Sequence, residues 1–339
     1  MTADQALLWR SSAWRKQAED WIRAETSRNG IHVDGPIEQP HLYPWSTVLR
    51  IPSSAGVLFF KATAPETRYE AALTETLARW QPDCTPELVS VDRGLGWMLM
   101  HDGGQQLRSF IRPTRDPTAW GPVIERFAEL QIGMVDHVTE LLDMGVPDWR
   151  LSRLPNLYSE FLEDGQILCV DEPKGVTAED LGRLRSLQQR FTSICSELAS
   201  LGIPETMNHG DLTDGNVLMR DGRVTIFDWG DGSITHPFVS LRTFFVSIEI
   251  SMKLELEDWS LTQEMSTLLD RYLKVWEAVR PAETLRAAYP LSRCAASVVK
   301  ALSWRQTVSP LQGALRQEYA WIVPEVLREF LILEKMLAG

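Results

Sequence analysis

Residues 208–231 read N-H-G-D-L-T-D-G-N-V-L-M-R-D-G-R-V-T-I-F-D-W-G-D, and the rest of the chain is interpreted around this stretch. Two apolar runs, 217–219 and 224–227, flank an Asp-Gly pair, which is a strong signal for a β-hairpin. Such a hairpin brings three oxygen-bearing side chains together: Asp211 before it, Asn216 at its start and Asp228 at its end. Asn216 and Asp228 suit a hard cation that is bound together with phosphate oxygens, and Asp211 suits a positioned base.

Size and composition limit the classes of protein to consider. The 339 residues are enough for two domains or two lobes, and the net charge of −12 argues against binding nucleic acid or anionic membranes by bulk electrostatics. The four cysteines lie far apart and are expected to be free buried thiols in a reducing compartment. No secretory signal or apolar run of membrane-spanning length is recognisable, so we expect a cytoplasmic protein.

The first hundred residues are predicted to be mostly strand. Residues 5–27 carry apolar side chains at helical spacing, which predicts an amphipathic helix packed on the body of the protein. Apolar runs at 48–51 and 57–63 surround a turn and predict an antiparallel hairpin. The remaining predicted strands are 37–42, 88–92 and 96–100.

Lys61 lies inside an otherwise apolar strand, where a lysine either extends to solvent or is held inward for a purpose. Residues 63–66, Thr-Ala-Pro-Glu, have the form of a capping box and predict that a helix begins there. Glu66 would be used in the cap, and Glu75 faces solvent. Glu70, at the margin of the apolar face, is therefore predicted to hold Lys61, the alternative being a solvated glutamate.

The polar junction His-Asp-Gly-Gly at 101–104 marks the predicted boundary between two lobes. Strand patterns with one main helix precede it, and helical periodicity dominates after it. We therefore predict an α+β chain, with an N-terminal lobe over 1–102 and a mainly helical C-terminal lobe over 103–339.

Transfer of a phosphoryl group requires neutralised charge on the donor oxygens, an aligned acceptor hydroxyl and an acceptor for its proton. Magnesium is commonly bound by one or two side-chain oxygens together with the phosphates, and Asn216 and Asp228 provide that pair. Asp211 can face an acceptor hydroxyl from the same loop. Lys61, held by Glu70, would lie against the donor phosphates as a point charge.

Together these features resemble the aminoglycoside phosphotransferase and choline kinase superfamily, the small-molecule relatives of protein kinases. The resemblance rests on the H-G-D-x4-N motif at 209–216, on D-W-G at 228–230, and on the order strand lysine, helix glutamate, hinge. It covers nearly the whole chain. It implies a bilobal protein-kinase-like fold with an N-terminal antiparallel sheet and a larger helical lobe, and it implies Mg²⁺ with ATP or GTP as the phosphoryl donor.

The resemblance also implies roles for individual residues. Asp211 is then the catalytic base, Asn216 and Asp228 are magnesium ligands, and Lys61 contacts the donor phosphates. The hinge backbone from Met100 to Asp102 would take the nucleobase.

The phosphate loop departs from the protein-kinase pattern. Residues 41–48 read H-L-Y-P-W-S-T-V, with no glycine where protein kinases have a glycine-rich loop. Ser46 and Thr47 are the candidates for hydrogen bonds to phosphate, while Pro44 and Trp45 indicate a stiffer loop.

The acceptor is expected to be a small molecule. After Gly230 the chain enters a helix at about Phe238, which leaves no room for a long activation segment, and no A-P-E motif follows. A hydroxylated antibiotic, such as an aminoglycoside, or another metabolite would be held by the helices after residue 240. Candidate acidic contacts for a cationic acceptor are Glu249, Glu255, Glu257 and Asp258, the alternative being a solvated helix end.

Two other functions are compatible with parts of the sequence. The chain would be a nucleotide-binding pseudokinase with a regulatory role if it bound nucleotide without transfer. His209, Asp211 and a later His236 also resemble the iron ligands of non-haem oxygenases, although that interpretation leaves Asn216, Asp228 and Lys61 without roles. We expect His209 to shape the loop by packing, and Asp231 to be either a helper of the site or a turn residue.

Overall fold

The computed structural model describes residues 5–254 and 260–338. The chain forms two compact units. The first comprises Met1–Gln106, Asn216–Gly230 and Pro310–Gln312, and the second comprises Leu107–Gly215, Asp231–Ser309 and Gly313–Gly339. The first unit thus extends past residue 102 and also takes up the 216–230 hairpin. A domain boundary between residues 102 and 103 stays a prediction.

The first hundred residues build an antiparallel sheet with helices. In chain order the elements are α1 Gln5–Arg10, α2 Ser12–Arg28, β1 Glu38–Leu42, β2 Ser46–Ser53, β3 Gly56–Thr63, α3 Tyr69–Trp80, β4 Leu88–Asp92, β5 Trp97–His101 and β6 Gln105–Gln106. The five-stranded sheet has the order β1-β2-β3-β5-β4. The predicted helix and strands of this region are confirmed, with the long N-terminal helix interrupted at Ser11, the N-cap of α2.

The predicted capping box at 63–66 is wrong. Thr63 remains in β3, paired with Ser46, and its hydroxyl donates to the Gly96 carbonyl at 3.4 Å. A short 3₁₀ turn, Pro65–Thr67, follows with Ala64 as its N-cap and no side-chain cap bond, and α3 begins only at Tyr69. The Thr63 hydroxyl, which was predicted to cap the helix, therefore forms its hydrogen bond with the sheet region instead.

An aromatic cluster fills the space between α2 and the sheet. Phe60 of β3 is fully buried, and its ring centroid lies 6.4, 5.6 and 5.3 Å from those of Trp14, Trp21 and Trp97. Because side chains alternate along a strand, Lys61 projects from the opposite face of the sheet. The packing of Phe60 thus fixes the direction of Lys61.

Replacing Phe60 by alanine is expected to lower the free energy of unfolding by about 3–5 kcal/mol, because the cluster loses its central ring and keeps a cavity. Urea unfolding followed by tryptophan fluorescence measures the loss. Phe110→Ala is the matched control, since Phe110 is 44% exposed and its removal should cost far less. Equal losses in the two variants would contradict this account of the core.

The second unit is mainly helical. Before the hairpin it contains α4 Arg108–Thr114, α5 Trp120–Gly133, α6 Val138–Asp143, α7 Leu154–Leu162, α8 Gly165–Leu168, α9 Ala178–Ser186, α10 Gln188–Ser200 and the short strand β7 Thr206–Asn208. The hairpin of the first unit follows, as β8 Val217–Arg220 and β9 Arg223–Ile226. The rest is β10 Ser233–Thr235, α11 Leu241–Met252, α12 Gln263–Trp276, α13 Ala282–Val308, α14 Gly313–Tyr319 and α15 Ile322–Ala338.

The hairpin forms as predicted. Val217 pairs with Ile226 and Arg220 with Arg223, which leaves a two-residue turn. Its residues, Asp221 and Gly222, have φ of 50° and 81°, the left-handed values of a type I′ turn. The four cysteines are free and buried, as expected. Within the described ranges, no helix combines the length and the apolarity needed to cross a bilayer.

Candidate active site

Lys61 is a buried cation between two carboxylates. Its Nζ lies 2.6 Å from Glu70 Oε1, which is the predicted contact, and 2.6 Å from Asp228 Oδ1, which was predicted only as a metal ligand. Burial by itself lowers the pKa of Lys61, but Asp228 and Glu70 outweigh it and raise that pKa above its ordinary value. Lys61 is therefore charged at neutral pH.

Glu70 is held in place by the start of α3. The residue is 2% exposed and lies in the first helical turn. The neighbouring Tyr69 hydroxyl donates to the Gly230 carbonyl at 2.6 Å. A Cβ on Gly230 would lie 3.1 Å from Glu70 Oε2, so a side chain there would crowd this carboxylate. The glycine after Asp228-Trp229 thus allows the backbone to approach α3 closely.

Asp228 and Asn216 lie at the same end of the hairpin. The Phe227 N–H donates to the Asn216 carbonyl at 3.1 Å, and Asp228 is the next residue. Asp228 has φ of 67°, a left-handed value that costs a non-glycine residue about 1–2 kcal/mol. Strain of this kind concentrates at functional positions. The Asp228 side chain is 42% exposed, so it retains access to solvent while it contacts Lys61.

The residues at this end of the hairpin fit a divalent cation. A carboxylate and an amide are the oxygen donors that magnesium takes from proteins, with its other positions left to water and phosphate. The completely buried Trp229 anchors the segment, since its indole N–H donates to the Ile226 carbonyl at 3.3 Å. The role of Asn216 and Asp228 as metal ligands stays a prediction.

The predicted phosphate loop is filled by aromatic rings. The rings of His41 and Tyr43 have centroids 4.5 Å apart, and those of Tyr43 and Trp45 are stacked at 5.3 Å. Ser46, the predicted phosphate contact, begins β2 with its Oγ 3.3 Å from His41 Nε2. The Thr47 hydroxyl donates to the His41 carbonyl at 2.8 Å, so this second candidate donor is engaged inside the loop. Burial lowers the pKa of His41 although Asp228 opposes the shift.

The predicted hinge is part of the sheet and its edge. Met100 pairs with Phe59 on one side and Leu88 on the other. The Asp102 N–H donates to the Val57 carbonyl at 3.2 Å, and its carboxylate lies 3.1 Å from Arg220 and accepts from the Gly104 N–H at 3.0 Å. The backbone N–H and the carboxylate of Asp102 thus both have bonding partners within the protein. Nucleobase binding at Met100 and Asp102 stays a prediction.

The loop that carries Asp211 begins after β7, in the second unit. Gly210 has φ of 75°, and a Cβ there would lie 2.1 Å from the Asp231 carbonyl oxygen, so only glycine fits. His209 is fully buried, and its Nδ1 accepts the Asp211 backbone N–H at 3.3 Å. The Asp211 carbonyl accepts from the Thr213 N–H at 2.8 Å. His209 therefore shapes the loop, as expected, and leaves the Asp211 carboxylate 38% exposed.

Asp214 anchors this loop, a role the sequence did not reveal. Its carboxylate is 2% exposed, receives two hydrogen bonds from Arg112 at 2.8 and 3.0 Å, and accepts from the Ser251 hydroxyl at 2.6 Å. Its backbone N–H donates to Ser247 Oγ at 2.9 Å, and its carbonyl accepts from the Arg108 N–H at 3.0 Å. The loop is thus tied to both α4 and α11.

Lys300 of α13 is the second feature that was missed. Its Nζ lies 2.9 Å from the Gly210 carbonyl oxygen, 3.6 Å from Asp211 Oδ1 and 3.7 Å from Asp231 Oδ2. Asp231 also accepts from the Ser303 hydroxyl at 3.0 Å, so its carboxylate faces α13 rather than serving the turn alone. In the sequence, Lys300 is the charged residue within the otherwise uncharged stretch 294–303, which the structure shows to be buried.

His236, a ligand in the iron alternative, is fully buried. Burial lowers the pKa of His236 to about 3, and its Nδ1 accepts the Phe238 N–H at 3.3 Å. Across residues 5–254 and 260–338, no three His, Cys, Asp or Glu side chains are grouped to hold a metal. Predictions for Glu255, Glu257 and Asp258 fall outside the described ranges.

Glu249 lies on α11, the helix that also contacts the Asp211 loop through Thr243. It lines a cavity of about 140 Å³ together with Phe245, Met265 and Arg293. Thr243, whose hydroxyl donates to the Gly210 carbonyl at 3.2 Å, precedes it by six residues on α11, and such a spacing places two side chains on different sides of a helix. Contact between Glu249 and an acceptor stays a prediction.

A family model described as the phosphotransferase enzyme family matches residues 43–282. No curated protein matches the sequence.

Three solved structures illustrate the shared fold. A choline/ethanolamine kinase family protein from Mesorhizobium loti is 16% identical, with 89% of this chain and 92% of that chain covered and a TM-score of 0.55. APH(2")-IIia in complex with GDP and kanamycin is 17% identical, with coverages of 93% and 98% and a TM-score of 0.59. Macrolide 2'-phosphotransferase MphH from Brachybacterium faecium is 14% identical, with coverages of 90% and 97% and a TM-score of 0.54. These likenesses confirm the predicted α+β, protein-kinase-like fold class.

Proposed function

Since the chain belongs to the phosphotransferase enzyme family and is a small-molecule kinase, we propose that it transfers the γ-phosphate of ATP or GTP to a hydroxyl group of a small molecule. A hydroxylated antibiotic, such as an aminoglycoside, or another hydroxylated metabolite is the proposed acceptor. The observation that carries the proposal is the buried, charged Lys61 held between Glu70 and the strained, partly exposed Asp228.

On the donor side, Lys61 binds the phosphates of the nucleotide, and Glu70 keeps its ammonium in place. Asn216 and Asp228 are the residues that would hold Mg²⁺, which when bound neutralises charge on the donor phosphates. Ser46 is the proposed contact from the aromatic loop. The backbone at Met100 and Asp102 is the proposed binding site of the nucleobase.

On the acceptor side, Asp211 orients the acceptor hydroxyl and takes its proton. The acceptor oxygen forms a bond to the γ-phosphorus while the bond between that phosphorus and the bridging oxygen breaks. The nucleoside diphosphate leaves, and the hydroxyl proton moves to the Asp211 carboxylate. The His209 and Thr213 contacts involve the Asp211 backbone, so they shape the loop without using its carboxylate.

The solved structures broaden the choice of compounds to test. One is a complex with GDP and kanamycin, and the other two are named as a choline/ethanolamine kinase family protein and a macrolide 2'-phosphotransferase. GTP therefore belongs beside ATP as a candidate donor. Four free buried cysteines support a reducing compartment, and we propose a cytoplasmic location on this ground.

The proposed function is tested by measuring nucleoside diphosphate release with ATP and GTP in parallel. The panel contains aminoglycosides, macrolides, amino alcohols and sugars, and mass spectrometry identifies the phosphorylated product. Acceptor-dependent release is expected with at least one class. Nucleotide binding without transfer to any compound would instead favour the pseudokinase alternative, and stoichiometric iron in the purified protein would favour the oxygenase alternative.

A further inference from the structure

Lys300 is buried beside the proposed base. The residue is 8% exposed, and its ammonium donates to the Gly210 carbonyl oxygen at 2.9 Å. The Thr243 hydroxyl donates to the same carbonyl at 3.2 Å. Both bonds act on the peptide group that joins Gly210 to Asp211, so they fix the direction in which the Asp211 side chain leaves the loop.

The same ammonium lies between two carboxylates. Asp211 Oδ1 is 3.6 Å away and Asp231 Oδ2 is 3.7 Å away, so the buried ammonium interacts with the charges of two partly exposed carboxylates. Ser303, one turn farther along α13, holds the other oxygen of Asp231 at 3.0 Å. Without the ammonium, the Asp211 and Asp231 carboxylates would repel each other with no cation between them.

We propose that Lys300 is a positioning residue for the phosphate transfer, one that holds the Asp211 carboxylate in the orientation needed by the acceptor hydroxyl. It acts through the Gly210 carbonyl and through the charge that it shares between Asp211 and Asp231. The inference rests on the proposed role of Asp211 as the base. It assigns a function to α13, a helix that begins 71 residues after Asp211 in the sequence and carries no phosphotransferase motif of its own.

The test compares Lys300→Met with the wild-type chain, using an acceptor identified by the diphosphate-release screen. Methionine keeps the length of the side chain and removes its charge. A shift of the reacting groups by about 1 Å can lower the rate about 100-fold, so kcat is expected to fall by about that factor. The dissociation constant of the Mg²⁺-nucleotide should change less than about threefold, because Lys300 is assigned no contact with the donor.

Two further variants separate positioning from general structural support. In the double variant Lys300→Met with Asp231→Asn, the repulsion between the two carboxylates is relieved, so kcat is expected to recover at least about tenfold over Lys300→Met alone. Lys274→Met is the matched control: Lys274 is a 76% exposed lysine on α12, and its replacement should leave kcat unchanged. Thermal unfolding verifies that each variant is folded.

The outcomes are distinct. Unchanged kcat in a folded Lys300→Met variant overturns the positioning role while the proposed function stands. A nucleotide dissociation constant weakened more than tenfold makes Lys300 a phosphate ligand instead, and no recovery in the double variant contradicts the charge-sharing account. If Lys300→Met does not fold, Lys300→Gln, which also lacks the charge, is measured in the same way, and unchanged kcat in that variant overturns the inference. No transfer by the wild-type chain to any acceptor defeats the proposed function itself, and the inference with it.

Discussion

Replacement of Asp211 by alanine is expected to lower kcat by about 10³-fold, because the acceptor hydroxyl loses the group that orients it and takes its proton. The loop itself should survive the change. Its hydrogen bonds to His209 and Thr213 are made by the Asp211 backbone, and its anchor is the separate carboxylate of Asp214. Nucleotide affinity, measured by calorimetry with Mg²⁺ present, should stay within about threefold of wild type.

Two control variants test whether the effect depends on the charge of the Asp211 side chain and on its position in the protein. Asp211→Asn keeps the shape of the side chain and removes its basicity, so it should be nearly as inactive as alanine. Asp270→Ala removes a 55% exposed carboxylate from α12 of the same unit and should leave kcat unchanged. Turnover of Asp211→Ala close to the wild-type value would refute the assignment of the base.

Elements with local signals were predicted well. The hairpin follows from Asp221-Gly222, because a two-residue I′ turn requires positive φ at both positions. The helices after residue 260 follow from the spacing of their apolar residues. The contact between Lys61 and Glu70 was also predicted, since a strand and the helix that follows it place these residues close together.

Contacts between distant parts of the chain were not predicted. Asp228 is 167 residues from Lys61, and its role as the second partner of that lysine depends on how the hairpin packs within the first unit. Asp214 and Lys300 likewise depend on the packing of α4, α11 and α13 around one loop. Helical periodicity shows which face of a helix is buried, but not which loop that face meets. The predicted helix cap at Thr63 was wrong for a similar reason. Thr63 pairs with Ser46, a residue distant in sequence, and this pairing keeps Thr63 in the sheet.

Replacement of Asp228 by alanine is expected to weaken Mg²⁺-nucleotide affinity by about 10- to 100-fold, by analogy with the loss of other groups that support a metal site. Wild-type affinity should rise strongly with Mg²⁺, and that of the variant should hardly respond. The change has a second consequence, because Lys61 loses one of its two carboxylates and keeps only Glu70. With one carboxylate fewer competing for it, the ammonium can contact phosphate more readily, so some affinity for nucleotide should remain even without Mg²⁺.

The backbone at Asp228 must be controlled for, since alanine at φ of 67° is strained by about 1–2 kcal/mol. Asp228→Gly removes the carboxylate without that strain, and Asp228→Asn keeps an oxygen donor but no charge. Asp221→Ala is the matched control, because Asp221 has φ of 50° at the other end of the same hairpin and is exposed. If alanine and glycine at 228 both abolish the response to Mg²⁺ while Asp221→Ala retains it, the effect belongs to the carboxylate rather than to the turn. A full response to Mg²⁺ in Asp228→Gly would show that the metal ligands lie elsewhere, and that Asp228 serves only to hold Lys61.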